Sequence, residues 1–420
     1  MINLLFITPY IPFPLTEGGK ISQFAMIDYL RNDHNITLVL LADRIEKLND
    51  IDSLKALWPN VEFEIITTYD LNFPKKTLSQ VIIEQIKLIK GYINKEPLFS
   101  IPKSDFDQPN IFNLTYLKSK SFISQLTKIA NKKTYDLVQI DLLDFIDLSN
   151  IIPKHTKKIF VHHEIRFARL LTGFDNTDAI YQNYIINHVK ALEVKMLSFY
   201  DAIVVFSNDD KKKLEVFPEL KGKVFTSPFP ILNADFVNIT NSNETIDKLT
   251  FIGGDSHFPN LDAVQWFTNE IIPLLPSSLQ LHVIGKWSKE NMDQILKKCN
   301  NQIIFSGFVD DLITYCKNSI MVVPLRLGSG IRTKILYAMA HGTPIISTSI
   351  GCEGLGITHL KEIIISNSNV EFAKSIINLV KNTSLREKLA VNAQNLAKSK
   401  FSQNAAGAVR LELIKNIIAN

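Results

Sequence analysis

The chain has 420 residues, 46% of them hydrophobic and 21% charged, with a formal net charge of +4. That length suits two domains of ordinary size, and the composition is that of a globular protein without long single-sign charge blocks. So small a charge gives no case for nucleic acid, and it fits an anionic small ligand or an acidic membrane surface equally well.

The first stretch, MINLLFITPYIPFPL, lacks the basic start and small-residue cleavage site of a secretory leader, and prolines interrupt it early. It reads as a buried first strand. Further apolar runs follow at 36–42, 61–67, 136–140, 158–161 and 202–206, then at 249–253, 279–285, 302–307, 319–325, 344–348 and 362–366. They alternate with segments of helical period, the pattern of parallel sheets covered by helices. Each half supplies about six strands, enough for one doubly wound sheet. Residues 232–248 are polar and poor in core residues, which places the linker there. The expected division is therefore a first domain over 1–230, a second over 231–400, and a terminal helix over 401–420 packed back on the first. The segment 70–118, broken by Pro74, Pro97, Pro102 and Pro109, reads as an insertion. It carries one amphipathic helix near 78–92, which packs on its own core in preference to anionic lipid. No apolar run approaches the roughly 20 residues needed to cross a bilayer. Cys299, Cys316 and Cys352 are scattered and form no CxxC pair, which indicates a reducing compartment and argues against structural zinc or a disulfide framework.

Charge is oddly placed at 324–348, PLRLGSGIRTKILYAMAHGTPIIST. A strand ends, the turn Gly328-Ser329-Gly330 follows, and a helix is expected from Ile331, with Ile331, Ile335, Ala338 and Met339 on its buried face. Its first turn then holds Arg332 and Lys334, where the helix dipole disfavours cations. Bare glycines let the backbone approach an anion, and free N–H groups at the helix start point toward it. The two cations add charge-assisted hydrogen bonds. Taken alone, a turn with two solvated cations accounts for this better than a bound phosphate, and only the family resemblance below reverses that balance. Gly18 and Gly19 form a second glycine turn, between the first strand and a helix running to about Arg31; alone it fits a flexible connection as well. KIFVHHEIRF sets His162 and His163 at a strand end, where open α/β sheets bind ligands. A structural histidine pair is the alternative, and no metal-ligand spacing accompanies them. Asp105-Phe106-Asp107 has the spacing of a metal-binding acidic pair, but its proline-flanked polar setting reads as an Asx-rich turn.

The stretch PLRLGSGIRTKILYAMAHGTPIISTSIGCEGL resembles the donor-site segment of family-four-type glycosyltransferases with the GT-B fold. ITPYIPFPLTEGGKISQFAMIDYL is similar to that family's opening strand and glycine loop, and DAIVVFSNDD to one of its later strands. FIGGDSHFPNLDAVQWF is similar to the first strand and helix of its C-terminal domain, and FSGFVDDL to its nucleobase loop. These segments follow the family's order over nearly the whole chain. The resemblance implies two Rossmann-like, doubly wound parallel-sheet domains facing a central cleft, with the donor bound mainly by the second. It implies transfer of a sugar, with retention of configuration, from a nucleotide-diphosphate sugar to a hydroxyl acceptor on a glycan or a lipid. Gly18 and Gly19 would face the diphosphate, with Ser329, Gly330, Arg332 and Lys334 holding it. Phe308 and Val309 would contact the base through backbone, Tyr337 would lie near the ribose, and His163 would touch the donor sugar. His163, Arg332 and Lys334 are the expected catalytic set.

The resemblance calls for no metal or other cofactor. It implies a bacterial surface-polysaccharide or glycolipid pathway and a cytoplasmic protein, with peripheral contact to the inner face of the plasma membrane left open. This chain departs from the family in two places. The family's two glutamates, eight positions apart, are replaced by Ser329 and Tyr337, and the second of them ordinarily holds the ribose hydroxyls. Gly254 stands where the family has an arginine, leaving Arg332 and Lys334 to carry the diphosphate. Two other readings compete. A non-catalytic relative that binds a glycan or partner fits the lost glutamate but not the retained Arg332 and Lys334. A nicotinamide-dependent dehydrogenase requires G-x-G-x-x-G after the first strand, which is absent.

Overall fold

In the computed structural model, which describes residues 1–42, 46–67, 117–171, 179–239, 246–298 and 302–419, the apolar runs become two parallel sheets. The helix expected near 78–92 and the Asp105/Asp107 pair lie outside the described residues. The first sheet holds β1 (Asn3–Ile7), β2 (Asn35–Ala42), β3 (Glu62–Thr67), β4 (Leu137–Asp141), β5 (Lys157–His162), β6 (Ala202–Val205) and β7 (Val224–Thr226), in the order β3-β2-β1-β4-β5-β6-β7. The second holds β8 (Lys248–Ile252), β9 (Gln280–Ile284), β10 (Ile303–Gly307), β11 (Ser319–Val323), β12 (Ile345–Ser347) and β13 (Ile364–Ile365), in the order β10-β9-β8-β11-β12-β13. Each order reverses once, at β1/β4 and at β8/β11, and such reversals open a crevice beyond the strand ends. Strands covered on both faces have no polar side to show: Leu4, Leu5, Phe6 and Ile7 of β1 are all buried, as are Ile320, Met321, Val322 and Val323 of β11.

Three local expectations shift. β7 was not among the expected strands, because three residues at a sheet edge leave too short an apolar run. Gly18 and Gly19 do not form a connecting turn; they open helix α1 (Gly18–Leu30). The helix after the second glycine turn, α3 (Thr333–Ala340), starts two residues later than the periodicity suggests. Gly330 has a φ of 78° and Arg332 a φ of −86° with ψ of 89°, which keeps the chain non-helical up to Thr333. Arg332 is thus the residue before the helix, and Lys334 alone of the two lies in its first turn. Helix α2 (Phe258–Trp266) follows β8 on the same crevice.

The chain passes between the sheets twice, and the two passages are tied together. Ile231 N–H donates to the Phe401 carbonyl and Gln403 N–H to the Ile231 carbonyl, both at 2.7 Å. Helix α4 (Gln403–Ala419) then lies along α1, with Gln403 Nε2 donating to the Ala25 carbonyl (3.2 Å) and to Asp28 Oδ2 (2.9 Å). Arg410, 2% exposed, donates to Ser227 Oγ at 3.1 Å and Gln139 Oε1 at 3.3 Å. Burial brings its pKa down to about 10, which still leaves it charged at neutral pH. The two helices touch at Gly407, where a Cβ would sit 2.4 Å from Cγ of the Tyr29 ring. Gly407→Val is therefore expected to destabilise the protein by about 1–3 kcal/mol through overpacking. Denaturant unfolding checks this, and an unchanged midpoint would contradict the packing of α4 on α1.

Candidate functional site

The strand–glycine–helix pattern occurs on both sides of the crevice, and the two helix ends meet there. A Cβ on Gly18 would lie 2.7 Å from Thr333 Cγ2, and one on Gly330 would lie 3.2 Å from the His163 carbonyl oxygen. The N-termini of α1 and α3, with their unpaired N–H groups and partial positive charge, therefore open on one space. Neither Glu17 nor Arg332, the residues before the two helices, makes a side-chain cap hydrogen bond. Between them is a cavity of about 900 Å³.

Its wall is cationic where the helix ends meet. Lys334 Nζ donates to Asn260 Oδ1 at 2.8 Å and sits 4.1 Å from the Phe251 ring centroid. Part of the lysine borders the cavity, but its ammonium is enclosed and has no carboxylate within ion-pair distance among the described residues. Burial, and then the charge of Arg332, draw its pKa down to about 7. Asn260 is held in turn by its Nδ2, which donates to the Gly254 carbonyl at 2.9 Å. His257, one turn before Asn260, also lines the cavity. Burial lowers its pKa to about 4, aided by Arg169, Lys334 and Arg332. Arg169 is the cavity cation with an acidic partner, Glu164, at 2.9 Å.

Arg332 plays a different part from the one its sequence position suggests. It is 8% exposed, and its Nη1 donates to the carbonyls of Ser329 and Gly330, clamping the turn on itself. Its Nη2 and Ser329 Oγ are buried without hydrogen-bond partners. Of the residues singled out in sequence, Gly18, Gly19, Lys334 and Tyr337 line the cavity; His163, Phe308, Val309, Ser329, Gly330 and Arg332 stand behind or beside its wall. Phe308 is 69% exposed, and the stretch just after it, from Asp310 to Ile313, faces the cavity instead.

The two histidines part company. His162 is buried with Glu193, whose Oε1 lies 2.8 Å from its Nε2 and also accepts from the Arg166 amide at 2.9 Å. Glu193 Oε2 accepts from the Phe167 amide at 3.0 Å. The carboxylate thus fixes His162 and the start of the next helix, a structural arrangement. His163 lies behind Gly19, 3.4 Å from Asp141 Oδ1, with its ring edge-on to Phe206.

Farther along α3 the cavity changes character. Tyr337 Oη is buried with no partner, and burial, with Asp235 nearby, raises the phenol's pKa. His341 is kept neutral by burial, its pKa near 4 although Asp311 opposes the shift. His257, Asn260, Asp235 and His341 were not singled out in sequence. The first two had a signal, since GGDSHFPN (253–260) repeats the strand–glycine–helix layout of 323–334. Among the described residues no three His, Cys, Asp or Glu side chains are grouped to hold a metal ion.

The profile of the family Glycosyl transferases group 1 matches residues 247–382. The frame is that of GT-B glycosyltransferases: HepE of Anabaena, solved in complex with UDP, superposes with a TM-score of 0.64 at 12% identity over 99% of this chain and all of that one. Sucrose-phosphate synthase of Thermosynechococcus elongatus superposes with a TM-score of 0.68 at 13% identity, covering 99% of both chains. The family match thus falls on the half of the chain that builds the second sheet, and the GT-B fold extends over the whole chain. An uncharacterized 44.6 kDa protein in the cps region of Klebsiella pneumoniae is 24% identical over 412 residues, 94% of this chain and 95% of that protein.

Removing the Glu193 carboxylate strands a buried histidine and two amides, so Glu193→Ala should cost about 3–5 kcal/mol of stability. His163→Ala should cost about 1 kcal/mol or less. Chemical denaturation of both variants decides it: similar losses would contradict the division of roles between the two histidines.

Proposed function

We propose that this glycosyltransferase moves a sugar, with retention of configuration, from a nucleotide-diphosphate donor to a hydroxyl on a glycan or lipid-linked acceptor. One observation carries the reading: Lys334 is enclosed, without a carboxylate partner among the described residues, where two helix N-termini converge. Burying a charge without a counter-ion is costly, and a diphosphate is the anion whose size and charge fit that place. The UDP and UDP-glucose complexes of HepE support such a donor. The cps-region name of the Klebsiella relative supports a surface-polysaccharide or glycolipid acceptor.

As the glycosidic bond breaks, negative charge grows on the leaving phosphate. Donors already aimed at that point stabilise the transition state more than the ground state. Lys334 Nζ and the amides opening α1 and α3 are those donors, and they supply the positive charge without calling on a metal. Arg332 acts from behind, holding the Ser329–Gly330 carbonyls so that the turn's N–H groups face the cavity. His163, oriented by Asp141, reaches the donor sugar past Gly19, where no side chain intervenes. The leaving phosphate takes the acceptor's proton. No helix among the described residues is long and apolar enough to cross a membrane, so a lipid-linked acceptor would be met at the membrane surface.

Turnover with a panel of nucleotide sugars tests the reading. Lys334→Ala and Arg332→Ala should each lower the rate at least about tenfold, roughly 1.4 kcal/mol of barrier, in protein that melting shows to be folded. Unaltered turnover in both variants would overturn the diphosphate site; nucleotide binding without turnover by any sugar would select the non-catalytic reading. A pH dependence also follows. With the Lys334 pKa at about 7 in the empty cavity, the ammonium is present below pH 7 and lost above it. Bound diphosphate raises that pKa, so above pH 7 binding must take up a proton, and affinity should fall by up to about tenfold per pH unit. Calorimetry of nucleoside diphosphate binding from pH 7 to pH 9 measures this, and a flat profile would contradict it.

A further inference from the structure

The cavity is polar along one axis, and α3 supplies the scale. Lys334, Tyr337 and His341 recur at i, i+3 and i+7, so they face the cavity on one side of the helix, spanning about 10 Å at 1.5 Å per residue. Cations gather at the Lys334 end. At the Tyr337 end the charge turns acidic, and one carboxylate there, Asp235, comes from neither sheet but from the chain passing between them. The order along the wall is cation, phenol, neutral imidazole. A nucleoside diphosphate laid with its phosphates on Lys334 places its ribose at Tyr337, one helical turn on.

Five carboxylates border this cavity, and four have other circumstances. Glu164 is paired with Arg169 at 2.9 Å, and Asp311 accepts from the Thr314 amide at 3.0 Å as a helix cap. Glu17 and Asp310 are exposed to solvent. Asp235 is half-buried, held by a backbone hydrogen bond at Leu232, and has no ion-pair partner among the described residues. It stands close enough to Tyr337 to disfavour ionisation of the phenol, and the Tyr337 hydroxyl is itself buried and unpartnered. Burial also lifts the Asp235 carboxyl to about 6, a sign that its own environment does not compensate its charge. A phenol offers a single hydroxyl, whereas a vicinal diol presents two donors that one carboxylate accepts together.

We propose that Asp235 holds the ribose of the donor nucleotide, accepting from its 2′- and 3′-hydroxyls, and thereby selects ribonucleotides. The inference rests on the donor reading of the cavity given above. Its logic is that of a site built around a substrate hydroxyl: the analogue without it leaves a buried acceptor unmatched and is rejected strongly.

Calorimetry on the full chain with UDP, GDP and ADP, each beside its 2′-deoxy counterpart, tests it. The wild-type protein should bind its preferred ribonucleotide at least about tenfold tighter than the deoxy form, close to 1.4 kcal/mol. Asp235→Ala and Asp235→Asn should each weaken the ribonucleotide about tenfold more than the deoxy form, which keeps only its 3′-hydroxyl for the carboxylate, so that the preference collapses. Melting curves with and without nucleotide certify that the variants are folded. Wild-type protein that binds both forms equally overturns the assignment without any variant. Folded variants that keep the wild-type preference overturn it too, and leave the donor site standing. Absence of binding by any of the three diphosphates overturns the donor reading itself and takes this inference with it.

Discussion

The structure turns on the approach of Gly18 to Thr333. There the ends of two helices from different sheets come within van der Waals contact of one another, and a methyl group at position 18 would meet Thr333 Cγ2 at 2.7 Å. Gly330 makes a parallel approach to the His163 carbonyl, at 3.2 Å from its virtual Cβ. Two partial positive charges are held together, with an enclosed lysine beside them and no acidic partner for it among the described residues. Such an arrangement is unfavourable until an anion arrives. The fold sustains it because the forces holding the sheets in place lie elsewhere, in largely apolar cores such as those around β1 and β11.

Those forces include the double passage between the sheets. The connection after β7 and the one before α4 run side by side, joined by the backbone pair at Ile231, and α4 anchors the second domain's last segment to α1 through Gln403 and to the first sheet through buried Arg410, which donates to Ser227 and to Gln139 of β4. Residues 397–401 form a π-helical turn just before this joint, and Asp235, the carboxylate proposed to read the ribose, lies four residues past Ile231. On the proposed reading the nucleotide is held mainly along α3, with Gly18 and Gly19 on the facing wall of the cavity.

The parallel strands were legible because burial on both faces writes them as continuous Ile, Val, Leu and Phe. β7 escaped, being three residues long. The start of α3 was misread by two residues for a definite reason: Ile331 has the right spacing for the buried face, but Gly330 at positive φ and the non-helical backbone of Arg332 hold the chain out of the helix. That shift changes a role, since Arg332 turns back onto the Ser329 and Gly330 carbonyls instead of pointing along the helix axis. Gly18, Gly19, Lys334 and Tyr337, which line the cavity, were singled out partly by glycines and charge near helix starts and partly, for Tyr337, through the family resemblance. Asp235 was not, because 232–248 looks like a plain polar linker and its place beside Tyr337 exists only in three dimensions. His257 and Asn260 carried the same strand–glycine–helix signature as the donor turn and went unread for want of a charge to draw the eye.

The most direct measurement is a crystal structure with a nucleoside diphosphate bound. The account predicts the pyrophosphate between the N-termini of α1 and α3, its oxygens within hydrogen-bond reach of Lys334 Nζ and of the amides at Gly19 and Thr333. A pyrophosphate seated anywhere else, with Lys334 still on Asn260 and the helix ends unoccupied, would contradict it.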